Sequence, residues 1–240
     1  MNPRDTVDSM RGARTRLALT APLLLALAAV AGCSGTDEPT RSPETTLATA
    51  KKNLDATSGV RIGLSTAKLP TGVSGLLDAD GVGTHDPAFE GTIKVSASGV
   101  TADADVVAVG GKVFAKLPFT SRFAPIDPAD YGAPDPADLL DEEGGLSSLL
   151  TSATEVQTGE QVRDGKVVLS SYTAKVPGKA VASVIPSADP EAAFSAIFTL
   201  TDADRLDKAV LSGPFYPDAD SVTYTITFDD YGTTKKITAP

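Results

Sequence analysis

The chain has 240 residues, with 31 acidic and 21 basic side chains for a net charge of −10, one cysteine and no tryptophan. That balance excludes a basic nucleic-acid-binding patch and argues against a strong electrostatic hold of the whole chain on anionic lipid. A single cysteine excludes an internal disulfide, so side-chain packing alone must hold the fold, and the length suffices for one core.

Arg4, Arg11, Arg14 and Arg16 precede an uncharged stretch from Leu17 to Ala31, the layout of a secretory signal. The stretch is shorter than the roughly 20 residues that span a bilayer, and Pro22 interrupts it, so a permanent membrane helix is the weaker reading. Val30-Ala31-Gly32-Cys33 follows. This order resembles the lipobox of bacterial lipoproteins, which implies cleavage before Cys33, a diacylglycerol on its sulfur and further acylation of the new amino terminus. Two or three acyl chains hold a protein on a membrane stably where one does not. Residues 1–32 are thus expected to be a signal peptide, and residues 33–43 an acylated cysteine with a polar, proline-bearing tether. The expected location is the outer face of the cell membrane.

Residues 44–240 form the expected domain. Ser42 before Pro43 reads as a helix cap with proline at the first helical position, and Leu47, Ala50 and Leu54 recur at helical spacing up to Gly59. The period then becomes two. Val60, Ile62 and Leu64 alternate with polar residues or glycine, as do Phe89, Gly91, Ile93, Val95 and Ala97. "VTADADVVAVGG" and "KVFAKL" form a predicted hairpin about Gly110-Gly111. "PADLLDEEGGLSSLLT" reads as two short helices broken at Gly144-Gly145, and "PGKAVASVIP" as another. Strands resume in "GKVVLSSYTAKV", "AAFSAIFTL" and "RLDKAVLSG", and Val222, Tyr224, Ile226 and Phe228 alternate with Thr223, Thr225, Thr227 and Asp229.

Strands with one polar face belong to antiparallel sheets packed on one side, and the few helices must cover that side. The expected fold is α+β: a large, curved antiparallel half-barrel sheet with short helices on its concave face. A closed eight-stranded barrel or a two-sheet sandwich is the alternative.

Catalytic signals are sparse. His85, the one histidine, reads as a loop residue, and no serine lies in a Gly-x-Ser-x-Gly turn. Asp78 with Asp80 and Asp218 with Asp220 lack the ligand series of a calcium loop and read as solvated turns, while Asp138, Asp141, Glu142 and Glu143 read as an exposed helix end and loop. No metal, no cofactor and no enzyme activity are expected. The predicted inward faces carry mostly aliphatic residues, which fits either a solid core or one left hollow for acyl chains, since each buried methylene contributes about 0.8 kcal/mol.

The stretches "FEGTIKVSASGVTADADVVAVGGKVFAKL", "ADLLDEEGGLSSLLTSATEVQTGEQVRDGKVVLSSYTAKVPGKAV" and "SVTYTITFDDYGTTKKITAP" resemble the LppX/LprA/LprF/LprG family of mycobacterial and wider actinobacterial lipoproteins, most of all its LprG-type members. The resemblance runs from the lipobox to the end of the chain. It implies the half-barrel and a di- or triacylated lipid or glycolipid held between sheet and helices. It also implies transfer from the inner membrane toward the outer envelope, beside a major-facilitator transporter. Carried onto this sequence, the expected cavity positions are Ile62, Leu64, Ile93, Val95, Val106, Ala108, Ala115, Leu146, Leu149, Leu150, Phe198 and Ile226. "LPFTSRFAPIDPADYG" is the expected irregular loop near the opening. An envelope adaptor with a solid interior and a hydrolase with a carboxylate pair are the rival readings.

Overall fold

The computed structural model describes residues 41–240 apart from Ser98; the expected signal peptide, Cys33 and most of the tether lie outside the described residues. Thr40–Pro240 is one compact unit with its own core, the mark of a segment that folds by itself. Helix α1 spans Pro43–Asp55. Ser42 caps it, its hydroxyl accepting from the Thr45 amide at 3.2 Å, a bond worth about 1 kcal/mol. Leu47, Ala50 and Leu54 form its fully buried stripe.

Eleven strands follow: β1 Gly59–Ser65, β2 Gly75–Thr84, β3 Ala88–Ala97, β4 Val100–Val109, β5 Lys112–Lys116, β6 Ala124–Ile126, β7 Thr154–Asp164, β8 Val167–Pro177, β9 Ala193–Leu200, β10 Leu206–Gly213 and β11 Val222–Asp229. Helices α2 (Ser148–Ser152) and α3 (Gly178–Val184) and two 3-10 turns, Pro128–Tyr131 and Pro136–Leu140, complete the elements. Gly110 and Gly111 turn the β4–β5 hairpin with φ of 61° and 68°, which only glycine adopts at both positions without cost.

The strands make one open antiparallel sheet in the order β6-β5-β4-β3-β2-β1-β11-β10-β9-β8-β7. The first and last strands, β1 and β11, meet in its middle, so the two edges, β6 and β7, are consecutive in sequence. The connection between them, residues 127–153, therefore has to cross one face of the sheet. It carries both 3-10 turns and α2, and its Ala137, Leu140, Leu146, Leu149 and Leu150 are buried beneath it. Together with α1 and α3 it covers the face on which the inward side chains lie.

Three sequence expectations change. Asp78 and Asp80 are not in a solvated turn but in strand β2, where three glycines and two carboxylates hide the period; Asp80 pairs with Arg61 across the β1–β2 ladder. Strand β7 has almost no buried residue and was not read as a strand; its backbone pairing with β8, with two register shifts, holds it in place. The predicted loop after β5 contains the short strand β6 and a 3-10 turn. Asp218, by contrast, is in a turn, at a φ of 54°.

Candidate functional site

Residues directly opposite in neighbouring strands share a sheet face, so the register sorts the side chains into rows. Val60, Gly83, Phe89, Ala108 and Val113 form one row, and Ile62, Gly81, Gly91, Val106 and Ala115 the next. Leu64, Ala79, Ile93 and Ala104 make a third, then Leu76, Val95 and Ala102, then Ala97 and Val100. Ile226 lies beside Leu64, and Phe198 reaches the same face through Ala209. All nine strand positions expected to line a cavity thus lie on one face.

The structure distributes eleven of the twelve expected positions between two packed clusters. Ile62, Leu146, Leu149, Leu150, Phe198 and Ile226 are buried in the main cluster under α1–α3, with Leu64 packed against it. Val106 and Ala108 belong to a second cluster with Phe89, Val113 and Ala137, and Ile93 and Ala115 pack against that one. Val95 is half-buried outside both. Cys33 lies outside the described residues.

Cover is uneven along the rows. The 3-10 turn Pro136–Leu140 packs on β2, β3 and β4, over the rows of Phe89 and Val106, whose side chains are 3 % exposed. Beyond it, toward the end where β3 turns into β4, Leu64, Leu76, Ala79, Ile93, Val95 and Ala102 are all half-buried. Six apolar side chains on four neighbouring strands therefore form a partly exposed strip continuous with a packed core. Water gains nothing from such a strip, and removing it from water yields roughly 25 cal/mol per Å². Leu76, Ala79 and Ala102 were not singled out in the sequence, because β2 has no readable period and Ala102, though it alternates with Thr101 and Asp103, carries too small a side chain to mark a lining position.

The opposite face is polar and charged. Arg61 pairs with Asp80, Lys116 with Asp105 at 2.7 Å and Lys235 with Glu90 at 3.1 Å. The chain end lies on this side, where Ile237 packs with Ala88 and Val107. At the border of the strip, Tyr224 donates to the Leu76 carbonyl at 2.8 Å and shares a 2.7 Å hydrogen bond with Tyr216. Burial and the Tyr216 hydroxyl push the Tyr224 phenol well above its ordinary range, so it stays a neutral donor that ties β11 to β2.

Polar groups converge in a cleft of about 290 Å³ lined by Thr84, His85, Asp138, Asp141 and Glu142 among others, and in another of about 760 Å³ whose lining includes Ser187, Asp189, Tyr216, Asp218 and Asp220. His85 Nε2 hydrogen-bonds the Leu54 carbonyl at the end of α1, at 3.0 Å. Burial, with Asp135 and Asp141 nearby, raises the Asp138 carboxyl; the amides of Glu143 and Gly144 lower that of Asp141. The Asp141 carboxylate is occupied with loop geometry, its Oδ1 accepting from the Glu143 and Gly144 amides. Among the described residues no three His, Cys, Asp or Glu side chains converge as a metal site would need, and no helix is long and apolar enough to cross a membrane.

Residues 42–238 match the family model described as LppX_LprAFG lipoprotein. A protein named lipoarabinomannan carrier protein LprG from Mycolicibacterium hassiacum is 29 % identical over 238 residues, 95 % of this chain and 99 % of its own length. The protein of the same name from Mycobacterium tuberculosis is 26 % identical over 183 residues, 71 % of this chain and 73 % of its own. Among solved structures, LprF from Mycobacterium bovis superposes with a TM-score of 0.66 at 15 % identity, covering 82 % of this chain and 96 % of that one. LppX from Mycobacterium tuberculosis gives 0.60 at 14 %, covering 82 % and 98 %. At those identities the likeness establishes the fold, an open half-barrel sheet.

Proposed function

The chain belongs to the LppX_LprAFG lipoprotein family, and from that premise we propose that it is a non-enzymatic carrier that binds an acylated lipid or glycolipid on the apolar concave face of its sheet. The observation that carries the reading is the partly exposed strip from Leu64 to Val95. A solid-cored adaptor has no use for six half-buried apolar side chains facing one way. The names of the LprG relatives, carriers of lipoarabinomannan, support an amphiphile with acyl chains and a large polar head. Acyl chains need only apolar surface, at about 0.8 kcal/mol per buried methylene, and the strip offers that.

The finer parts of the proposal concern place and direction. Cys33 is the lipidation site, cleaved free of residues 1–32 and anchored in the outer face of the cell membrane through its acyl chains. The domain takes its cargo there and helps move it toward the outer envelope, beside a major-facilitator transporter. Mass spectrometry of lipids extracted from purified residues 41–240, expressed without the anchor, tests the binding itself. An acylated lipid recovered at near one per protein supports the proposal, and folded protein free of lipid overturns it.

A further inference from the structure

The strip does not end at Val95. Its parity continues to Val100, the first residue of β4, which is 68 % exposed, and at the same end of the sheet the loop after β5 presents Leu117 at 53 % and Phe119 at 108 %. Strand β5 runs antiparallel to β4, with Lys116 opposite Asp105, so this loop and the β3–β4 turn are at the same end of the sheet.

Phe119 is held there at a cost. Pro118 precedes it, the Thr120 amide donates to the Leu117 carbonyl at 3.1 Å, and the Thr120 hydroxyl donates to the same oxygen at 2.8 Å. Phe119 occupies the third position of this turn with a φ of 69°, where glycine is the favoured residue. A bulky side chain in the left-handed region is a strained exception, and here the strain positions an aromatic ring wholly in water. Among the described residues no side chain covers the ring. An external apolar phase would.

The charges around these side chains differ from those of the rest of the molecule. Residues 66–74, 99–101 and 117–123 lie at this end of the sheet and contain Lys68 and Arg122 but no carboxylate, in a chain of net charge −10. Both cations are exposed. The loops at the same end on the other half of the sheet carry Asp189, Glu191, Asp218 and Asp220 instead. Charges more than about 8 Å away are screened at physiological salt, so the net charge of the chain does not decide what this rim meets.

From the exposed apolar tips, the strained turn and the local charge we propose that this rim, with Leu117 and Phe119 at its tip and Lys68 and Arg122 exposed at the same end of the sheet, docks on the surface of an anionic phospholipid bilayer. The side chains enter the acyl boundary while the cations meet phosphate groups. Acyl chains then pass between bilayer and strip along the Val100–Val95 row without crossing water. The purpose of docking rests on the carrier reading; the docking itself does not.

The test is co-sedimentation of residues 41–240 with vesicles of phosphatidylglycerol and phosphatidylcholine, and with phosphatidylcholine vesicles alone. The domain is expected to sediment with the anionic vesicles and to lose that binding as salt rises. Replacing Leu117 and Phe119 together by serine weakens it about tenfold or more. Lys68→Glu and Arg122→Glu each weaken it about fivefold, and because they are made at separate exposed positions they keep the test valid if the serine pair unfolds the loop. A domain that stays in solution with anionic vesicles, or serine and glutamate variants that bind as the parent does, overturns the proposal; a rim built for a protein partner gives that result. Lipid extracted from the same preparations separates the two readings: cargo without docking removes only this inference, and docking without cargo removes only the carrier reading.

Discussion

Gly81 on β2 lies beneath the ring of Phe89 on β3, so closely that a Cβ at Gly81 would overlap the ring. Gly81 pairs with Gly91, and the two glycines leave a floor on which a ring only 3 % exposed can rest. That ring ends the packed part of the concave face, and the open strip begins past it. Gly81→Ala is expected to lower the unfolding free energy by about 1–3 kcal/mol, the usual range for overpacking, read from denaturant midpoints. An unchanged midpoint means the ring has another place to go.

Ile93 is half-buried at the centre of the strip, with Ala79 on one side and Ala104 on the other. Ile93→Trp places a large ring over these two small neighbours. The variant is expected to fold with a melting temperature near that of the parent and to carry at least about tenfold less lipid, since a ring occupying the strip displaces several methylenes worth about 0.8 kcal/mol each. Native mass spectrometry reads both states. Equal loading assigns the lipid elsewhere.

Lys51 ties α1 to the segment that crosses the sheet. Its Nζ donates to Asp55 Oδ2 at 2.8 Å, to the Glu142 carbonyl at 2.6 Å and to the Ser147 hydroxyl at 3.1 Å. Asp55 Oδ1 is already buried without a partner, so the lysine carries the compensation of that carboxylate. Lys51→Met is expected to cost about 1.5–3 kcal/mol, the range for hydrogen bonds to a charged group. Adding Asp55→Leu should recover part of the loss, because removing both charges is cheaper than stranding one. A double-mutant cycle with no coupling would contradict this.

Asp207 gives a pH signature. Burial pushes its carboxyl above the ordinary value of 3.8, Lys208 opposes the rise, and Asp229 and Asp164 add to it. A carboxyl raised in the folded state costs stability progressively as pH rises from 3.8 through that raised value and in full above it, and does nothing well below 3.8 where both states are protonated. Asp207→Asn is therefore expected to raise the melting temperature at pH 7 and to leave it unchanged at pH 3. A gain of equal size at both values would assign the effect to packing.

The cap at Ser42, the hairpin at Gly110-Gly111 and the period of β11 were legible because each depends on local chemistry. The half-barrel followed from the alternation of one-sided strands. Strand β7 was not legible, since only its ladder with β8 and no buried face defines it. Strand β2 was hidden for the opposite reason: its inward positions, Gly83, Gly81 and Ala79, are small, and at Gly81 that is what lets the Phe89 ring lie against the strand. The parity of Ile93 and Val95 could be read from the alternation, but their place on the partly exposed stretch of the face depends on where Pro136–Leu140 lands, a tertiary fact. Phe119 gave no signal, since only the φ of its turn distinguishes it from an ordinary loop aromatic.

The central claim is that acyl chains lie along the strip on β1–β4. The most direct measurement is photocrosslinking with a phospholipid that carries a diazirine in its acyl chain, with the labelled residues located by fragmentation in the mass spectrometer. The account predicts label on Leu64, Leu76, Ile93 and Val95 and none on Thr92 or Lys94, which face the other way. Label concentrated on the charged face, or spread evenly over both, would contradict it.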